Sequence, residues 1–151
     1  MPDPSATGHE EALGRLARAA YSLSAADSRL RGRATRTPGA LSLTHARALR
    51  ILAERGPLSI GQLAEATETT GAATTQLVNG LATAGYVTRE RPPGDKRSVV
   101  VALTDAGRRR HEERERDLAD ALRGALAHHD TAALDAATDV LRRLADIYDR
   151  L

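Results

Sequence analysis

The chain has 151 residues, with 22 Lys and Arg against 20 Asp and Glu, for a formal charge of +2. That length suits one domain, or one domain with a helical appendage, and 41% hydrophobic residues suffice to bury a sizeable core. Cys is absent, which excludes a disulfide scaffold, a thiolate nucleophile, a Cys-ligated zinc and a thiol redox sensor.

No run of about 18 apolar residues is present to span a bilayer. The polar, acidic start MPDPSATGHEEA lacks the basic and apolar regions of a signal peptide. A soluble cytoplasmic protein with no membrane partner is expected. Arg outnumbers Lys 21 to 1, as a GC-rich coding sequence would produce, so charge placement says more than the total. Residues 29–55 carry +6 and residues 86–110 carry +4, whereas 1–28, 56–85 and 111–151 carry −2, −2 and −4. Two basic zones therefore lie inside acidic ends.

Taken in order, residues 1–8 are expected to be disordered. From about His9 to Arg31, Leu13, Leu16, Ala20 and Leu23 recur at helical spacing, and RGRATRTPGALSL then reads as a loop. Thr44 is placed to cap a helix whose buried stripe is Ala46, Leu49, Leu52 and Ala53, ended by Gly56-Pro57. Ser59-Ile60-Gly61-Gln62 has the form of a capping box opening a short helix to about Ala66. Thr70 can cap a third helix through Thr74, Leu77, Val78 and Leu81. Three short helices with a tight turn before the last make a helix-turn-helix.

The period then changes from 3.6 to 2. The runs 86–91 and 98–103, split by PPGDKR, predict a β-hairpin with a charged tip. Thr104-Asp105 opens a helix through Leu118, Leu122 and Leu126, which His128 to Thr131 breaks. The last helix carries Leu134, Ala137, Leu141, Leu144, Tyr148 and Leu151 at 3-4 spacing. The first and last helices thus present long apolar faces, which a two-fold dimer would bury. The organisation expected is a dimerisation helix and loop at 9–40, a DNA-binding domain at 41–110 and dimerisation helices at 111–151. The fold class is mainly α with a small β-hairpin: a winged helix-turn-helix between dimerisation helices.

Residues 43–111 resemble the multiple-antibiotic-resistance regulator (MarR) family of bacterial winged-helix regulators. The resemblance is carried by AERGPLSIGQLAE, by TQLVNGLATAGYVTRE and above all by the wing GDKRSVVVALTDAGR. It implies a homodimeric repressor of a pseudo-palindromic operator. In many members a small, often anionic aromatic, effector bound between the DNA-binding and dimer regions releases DNA. By resemblance, Asp95 pairs with an arginine, Arg91 or Arg97, to hold the wing. Family members often have Arg at the position of Gln76 and an aliphatic residue at that of Thr74.

On the third helix, Leu77, Val78 and Leu81 should face the core, leaving Gly71, Ala72, Thr75, Gln76 and Asn79 toward double-stranded DNA; Thr70 and Thr74 are counted with them. Gln76 can pair bidentately with adenine, and Ala72 or Thr75 can touch a thymine methyl. Arg97 at the hairpin tip suits minor-groove insertion. Arg89, Lys96, Thr44 and Ser59 are candidates for phosphate contact. Arg29, Arg31, Arg33 and Arg36 are open to three readings: phosphate, an anionic ligand, or water. Leu13, Leu16, Leu134, Leu141, Leu144 and Tyr148 are the expected dimer contacts.

Neither a metal nor a cofactor is expected, because the histidines, His111 and His128-His129 among them, do not cluster as a tetrahedral site requires. No nucleophile elbow, phosphate loop or His-Glu-x-x-His motif supports an enzyme. The competing reading is a winged helix used for protein docking, with only sequence-indifferent DNA binding. A projecting cationic wing argues against it. The effector, the operator and the target genes are not encoded legibly in one sequence.

Overall fold

The computed structural model describes residues 4–34, 36–37, 40–95 and 97–151. Among these described residues, six helices and three strands follow in the order α1 (Pro4–Ala34), α2 (Leu43–Arg55), β1 (Leu58–Ser59), α3 (Ile60–Thr67), α4 (Gly71–Thr83), β2 (Val87–Glu90), β3 (Val100–Leu103), α5 (Asp105–Ala125) and α6 (Thr131–Tyr148). They form two compact units, one through His111 and one from Glu112 onward. Among the described residues no helix is long and apolar enough to cross a membrane.

The core of the first unit follows from the helical spacing of its apolar residues. Ala48, Leu49, Ile51 and Leu52 of α2 meet Leu63 of α3 and Leu77, Val78 and Leu81 of α4, and Val87 and Val101 close the cluster from the sheet. The starts of α2, α3, α4 and α5 are each set by a side chain accepting an orphan N–H. Ser42 Oγ accepts from His45 N at 3.2 Å, Thr70 Oγ1 from Ala73 N at 3.2 Å, and Thr104 Oγ1 from Gly107 N at 3.0 Å. Ser59 and Gln62 complete the expected capping box, each side chain meeting the other's backbone N–H.

Three details differ from the sequence reading. The cap of α2 is Ser42 rather than Thr44; Thr44 lies inside the first turn and is half-buried. Helix α1 begins at Pro4, in the stretch expected to be disordered, and runs on to Ala34, into the expected loop. The hairpin also has a third partner: the sheet order is β1-β3-β2, all antiparallel, with Leu58 opposite Val101 and Ser59 opposite Val100. Two residues are too few to show a period, so β1 leaves no mark in the sequence. It ties the start of α3 to the base of the wing.

The second unit holds the rest of α5 and all of α6, where no residue is buried. Leu118 and Leu122 of α5, and Leu134, Leu141, Ile147 and Tyr148 of α6, are exposed, and Leu144 is half-buried. In α1, Leu13 and Leu23 are exposed and Leu16 is half-buried. The apolar stripes at both ends of the chain are thus largely uncovered within a single copy.

Candidate nucleic-acid interface

The geometry of the helix-turn-helix is set by its turn. Helix α3 ends on Glu68, whose φ of 56° is left-handed, and Thr69 N then bonds back to Ala64 O at 3.0 Å. Arg47 of α2 braces this turn from outside, its Nη1 donating to Thr67 O at 3.3 Å and approaching Glu68 Oε2 at 3.5 Å. Inside, a file of threonine hydroxyls joins the two helices: Thr67 Oγ1 lies 2.9 Å from Thr69 Oγ1, which lies 2.8 Å from Thr74 Oγ1.

This contradicts the expectation that Thr74 faces DNA. Thr74 is fully buried, with its hydroxyl within bonding distance of Thr70 O and Thr69 Oγ1, so it packs on the turn and has no route to a base. The other expected positions, Thr70, Gly71, Ala72, Thr75, Gln76 and Asn79, are all exposed. Their spacing puts Ala72, Thr75, Gln76 and Asn79 along one stripe of α4, opposite buried Leu77, Val78 and Leu81. Side chains there are short and uncharged, so a groove can close on the helix.

The wing adds the cations. In β2 and β3, Val87 faces Leu103 and Arg89 faces Val101 across the ladder. Alternation therefore puts Arg89 on the same sheet face as buried Val87 and Val101. That face packs on α4, which is how the Arg89 guanidinium reaches Asn79 Oδ1 and donates to it. Between the strands, Gly94 takes φ 87° to turn the tip.

Asp95 organises the tip by a different pairing from the one the resemblance implies. Among the described residues its partners are the backbone N–H of Arg97, at 2.9 Å, and the hydroxyl of Ser98, not a guanidinium. The Ser98 hydroxyl and then the Arg97 N–H hold the Asp95 carboxyl below the usual carboxylate range. Arg91 and Arg97 are exposed, Ser59 is half-buried beside its capping partner, and Lys96 lies outside the described residues. The arginine at the tip is thus presented outward by a backbone bond to its neighbour.

A cavity of about 580 Å³ opens where α1, the segment after it, α2 and α4 converge. Leu41, Leu81, Ala84 and Tyr86 supply apolar lining, and Arg31, Arg36, Ser42 and His45 supply polar groups. Ser42 Oγ stands 2.7 Å from His45 Nδ1, and Gly80 lies against the other ring nitrogen, at 3.4 Å from where a Cβ would be. Burial pushes the His45 imidazole below its ordinary value of 6.5. Arg31 is ion-paired with Asp27 at 2.7 Å. Its lining comes from four segments, so no single motif marks it; Arg31 and Arg36, which the sequence leaves open to an anionic ligand, and the Ser-x-x-His spacing of Ser42 and His45 are the local signals.

Residues 41–98 match the model of the MarR family. An uncharacterized HTH-type transcriptional regulator of Bacillus subtilis, YcgE, is 30% identical over 99 residues, covering 66% of this chain and 64% of that protein. The chain thus spans a little under two thirds of this curated relative. A MarR-family protein from Bacillus stearothermophilus superposes with a TM-score of 0.63 at 25% identity, covering 93% of this chain and 97% of that one. Residues 41–98 thus form a MarR-family domain. A second solved structure, NadR in complex with 4-hydroxyphenylacetate, matches at a TM-score of 0.58 and 25% identity, covering 87% of this chain and 90% of that one. The matched span runs from Leu41 to Ser98, from the lip of the cavity to the tip of the wing.

Proposed function

We propose that this chain is a homodimeric, sequence-specific DNA-binding regulator whose α4 enters the major groove while the wing follows the adjacent minor groove. The observation that carries the reading is the exposed stripe of Ala72, Thr75, Gln76 and Asn79 on a helix pinned at its start by buried hydroxyls, with the Arg97 tip held outward beside it. Short polar side chains on a rigid helix suit base-edge contacts, and wing arginines suit phosphate and narrow-groove contacts. The uncovered apolar stripes of α1 and α6 support a two-fold dimer. Two copies would read half-sites about one helical turn apart.

The cavity supports a small-molecule effector. Its volume lies in the range of ligand sites, and its mix of an apolar floor with Arg36, Ser42 and His45 suits a small aromatic carboxylate, the class to which NadR's 4-hydroxyphenylacetate belongs. Occupancy there would separate α1 from α4 and so move the reading helix. Repression is the mode of action we favour, because the effector then works by releasing DNA.

Selection of bound sequences from random duplex DNA near physiological salt tests the reading. Enrichment of a palindrome with half-sites about one turn apart is the expected result. Binding that falls with salt but enriches no sequence would replace it with a protein-docking winged helix.

A further inference from the structure

We infer that Arg89 is a specificity-determining positioning residue: by engaging the side-chain carbonyl of Asn79 it biases Asn79 toward donating to the base edge. The inference rests on the proposed DNA-binding reading and concerns what one position of α4 can recognise.

A guanidinium has five N–H donors and no acceptor, so the atom of Asn79 that faces Arg89 must be the oxygen, Oδ1. Asn reads adenine bidentately only when its carbonyl accepts from N6 while its amide donates to N7. Arg89 fills one of the two Oδ1 lone pairs with a charged donor, the stronger kind of bond, and its positive charge beside the other disfavours an approaching N–H donor, so Asn79 presents chiefly its two Nδ2 hydrogens. They match edges that present acceptors, namely guanine N7 and O6 or thymine O4, better than they match the adenine N6 hydrogens. Asn79 sits on the exposed stripe with Thr75 and Gln76, so this donor pair belongs to the same surface that would meet the groove.

The contact is built into the fold. Strand alternation puts Arg89 on the sheet face that carries Val87 and Val101, and β2 packs along α4, so the side chain crosses from the wing strand to the helix. The remaining guanidinium hydrogens are left for a phosphate. Arg89 thereby joins the two elements that approach the two grooves.

The test compares the sequence preferences of the full-length protein and its Arg89→Ala, Asn79→Ala and doubly substituted variants, by random-duplex selection followed by titration of matched duplexes. Both side chains are exposed, so the variants should melt as the parent does. In the parent, one position per half-site should favour guanine or thymine over adenine on the contacted strand. Arg89→Ala should raise the relative affinity for adenine at that position about tenfold, a gain that requires Asn79 and is therefore missing from the double variant. A spectroscopic readout needs no DNA: the Asn79 side-chain amide resonances of the free protein should shift in Arg89→Ala and stay close to the parent in Arg89→Lys, which keeps a donor.

If Arg89→Ala weakens every duplex by the same factor and leaves the preferred sequence unchanged, Arg89 is a phosphate contact and the inference falls. A parent that enriches no sequence, while its Asn79 resonances still respond to Arg89→Ala, overturns the DNA-reading proposal and leaves the pair a structural tie. Resonances that do not respond overturn the pairing itself.

Discussion

The Thr69 hydroxyl lies 2.8 Å from that of buried Thr74 and 2.9 Å from that of Thr67, joining the end of α3 to the start of α4. Three hydroxyls hold three hydrogens, and Thr67 Oγ1 is 2.7 Å from Leu63 O. Thr67 donates to that carbonyl and Thr74 to Thr70 O at 2.9 Å, so Thr69 between them donates to one of the two hydroxyls. Thr69→Ala should therefore lower stability by about 1 kcal/mol, since it removes the middle bond but leaves both neighbours a carbonyl. Thr74→Val, which keeps the shape and removes the buried hydroxyl, should stay within about 0.5 kcal/mol of the parent because half-buried Thr69 can turn to water. Urea titration of the three proteins checks both values, and a larger loss in Thr74→Val than in Thr69→Ala would contradict this bonding scheme.

The start of α5 explains why the LTDAG segment has its particular residues. Thr104 N donates to Tyr86 O at 3.1 Å, and Thr104 Oγ1 donates to Gly85 O at 2.6 Å while accepting from Gly107 N. This draws Gly107 so close to the corner between α4 and β2 that a Cβ there would stand 2.0 Å from Tyr86 O. Gly107→Ala must either push the helix away and break these bonds or displace Tyr86 from the cavity wall. A loss of roughly 1–3 kcal/mol is expected, as for other overpacked sites. Thermal unfolding measures it, and Ala at exposed Gly124, with nothing within 4 Å of its Cβ position, serves as the control that should not be destabilised.

Features set by near neighbours were legible in the sequence. The Ser59 and Gln62 box, the Thr70 cap and the apolar row of α4 depend on residues within a turn of one another, and the structure shows each of them; of the row expected on α2, Leu49 and Leu52 are buried while Ala46 and Ala53 are half-buried, and Ala48 and Ile51 complete the face. Features set across the fold were not. Thr74 looks like its exposed neighbour Thr75 until the turn is folded under it, and Ser42 competes with Thr44 as a cap on equal chemical terms. Strand β1 and the cavity around His45 draw on segments far apart in sequence. The wing fell between: its basic tip was readable, but Asp95 meets a backbone N–H and a serine where family likeness pointed to an arginine.

His45 gives the fold a defined response to acid. Burial disfavours its imidazolium, so its folded pKa lies below the ordinary 6.5. The unfolded chain takes up this proton first, near 6.5, while the folded protein resists. Stability from this group is complete above 6.5 and declines as pH falls from there toward the folded value. Denaturation midpoints measured from about pH 7 to about pH 5 should fall more steeply for the parent than for His45→Gln. Equal slopes would remove His45 from the account.

The apolar stripe of α6 makes the dimer testable at one residue. Leu141 is 53% exposed in a single copy, between Leu134 and Tyr148 on the same face, and nothing in its own unit covers it. Leu141→Glu should leave helix content unchanged by circular dichroism and shift the sedimenting species at micromolar concentration from dimer to monomer. A charge tolerated there, with the dimer intact, would move the interface to another face of the terminal helices.

Arg97 is the wing residue on which DNA affinity should depend most. Asp95 accepts the Arg97 backbone N–H and the Ser98 hydroxyl, which fixes the backbone of the tip and leaves the Arg97 side chain exposed. A guanidinium presented this way fits a narrow minor groove, where potential attracts cations without strict base identity. Arg97→Ala should weaken binding to the selected duplex by about 1–3 kcal/mol with the dimer intact. Asp95→Ala removes no cation, so it should weaken binding less, by letting the tip move, and the salt dependence of its binding should match the parent's. For Arg97→Ala the salt slope should become shallower, since one fewer cation is held near the phosphates. Titrations at several salt concentrations separate the two effects, and a slope unchanged by Arg97→Ala would place that side chain in solvent rather than in the groove.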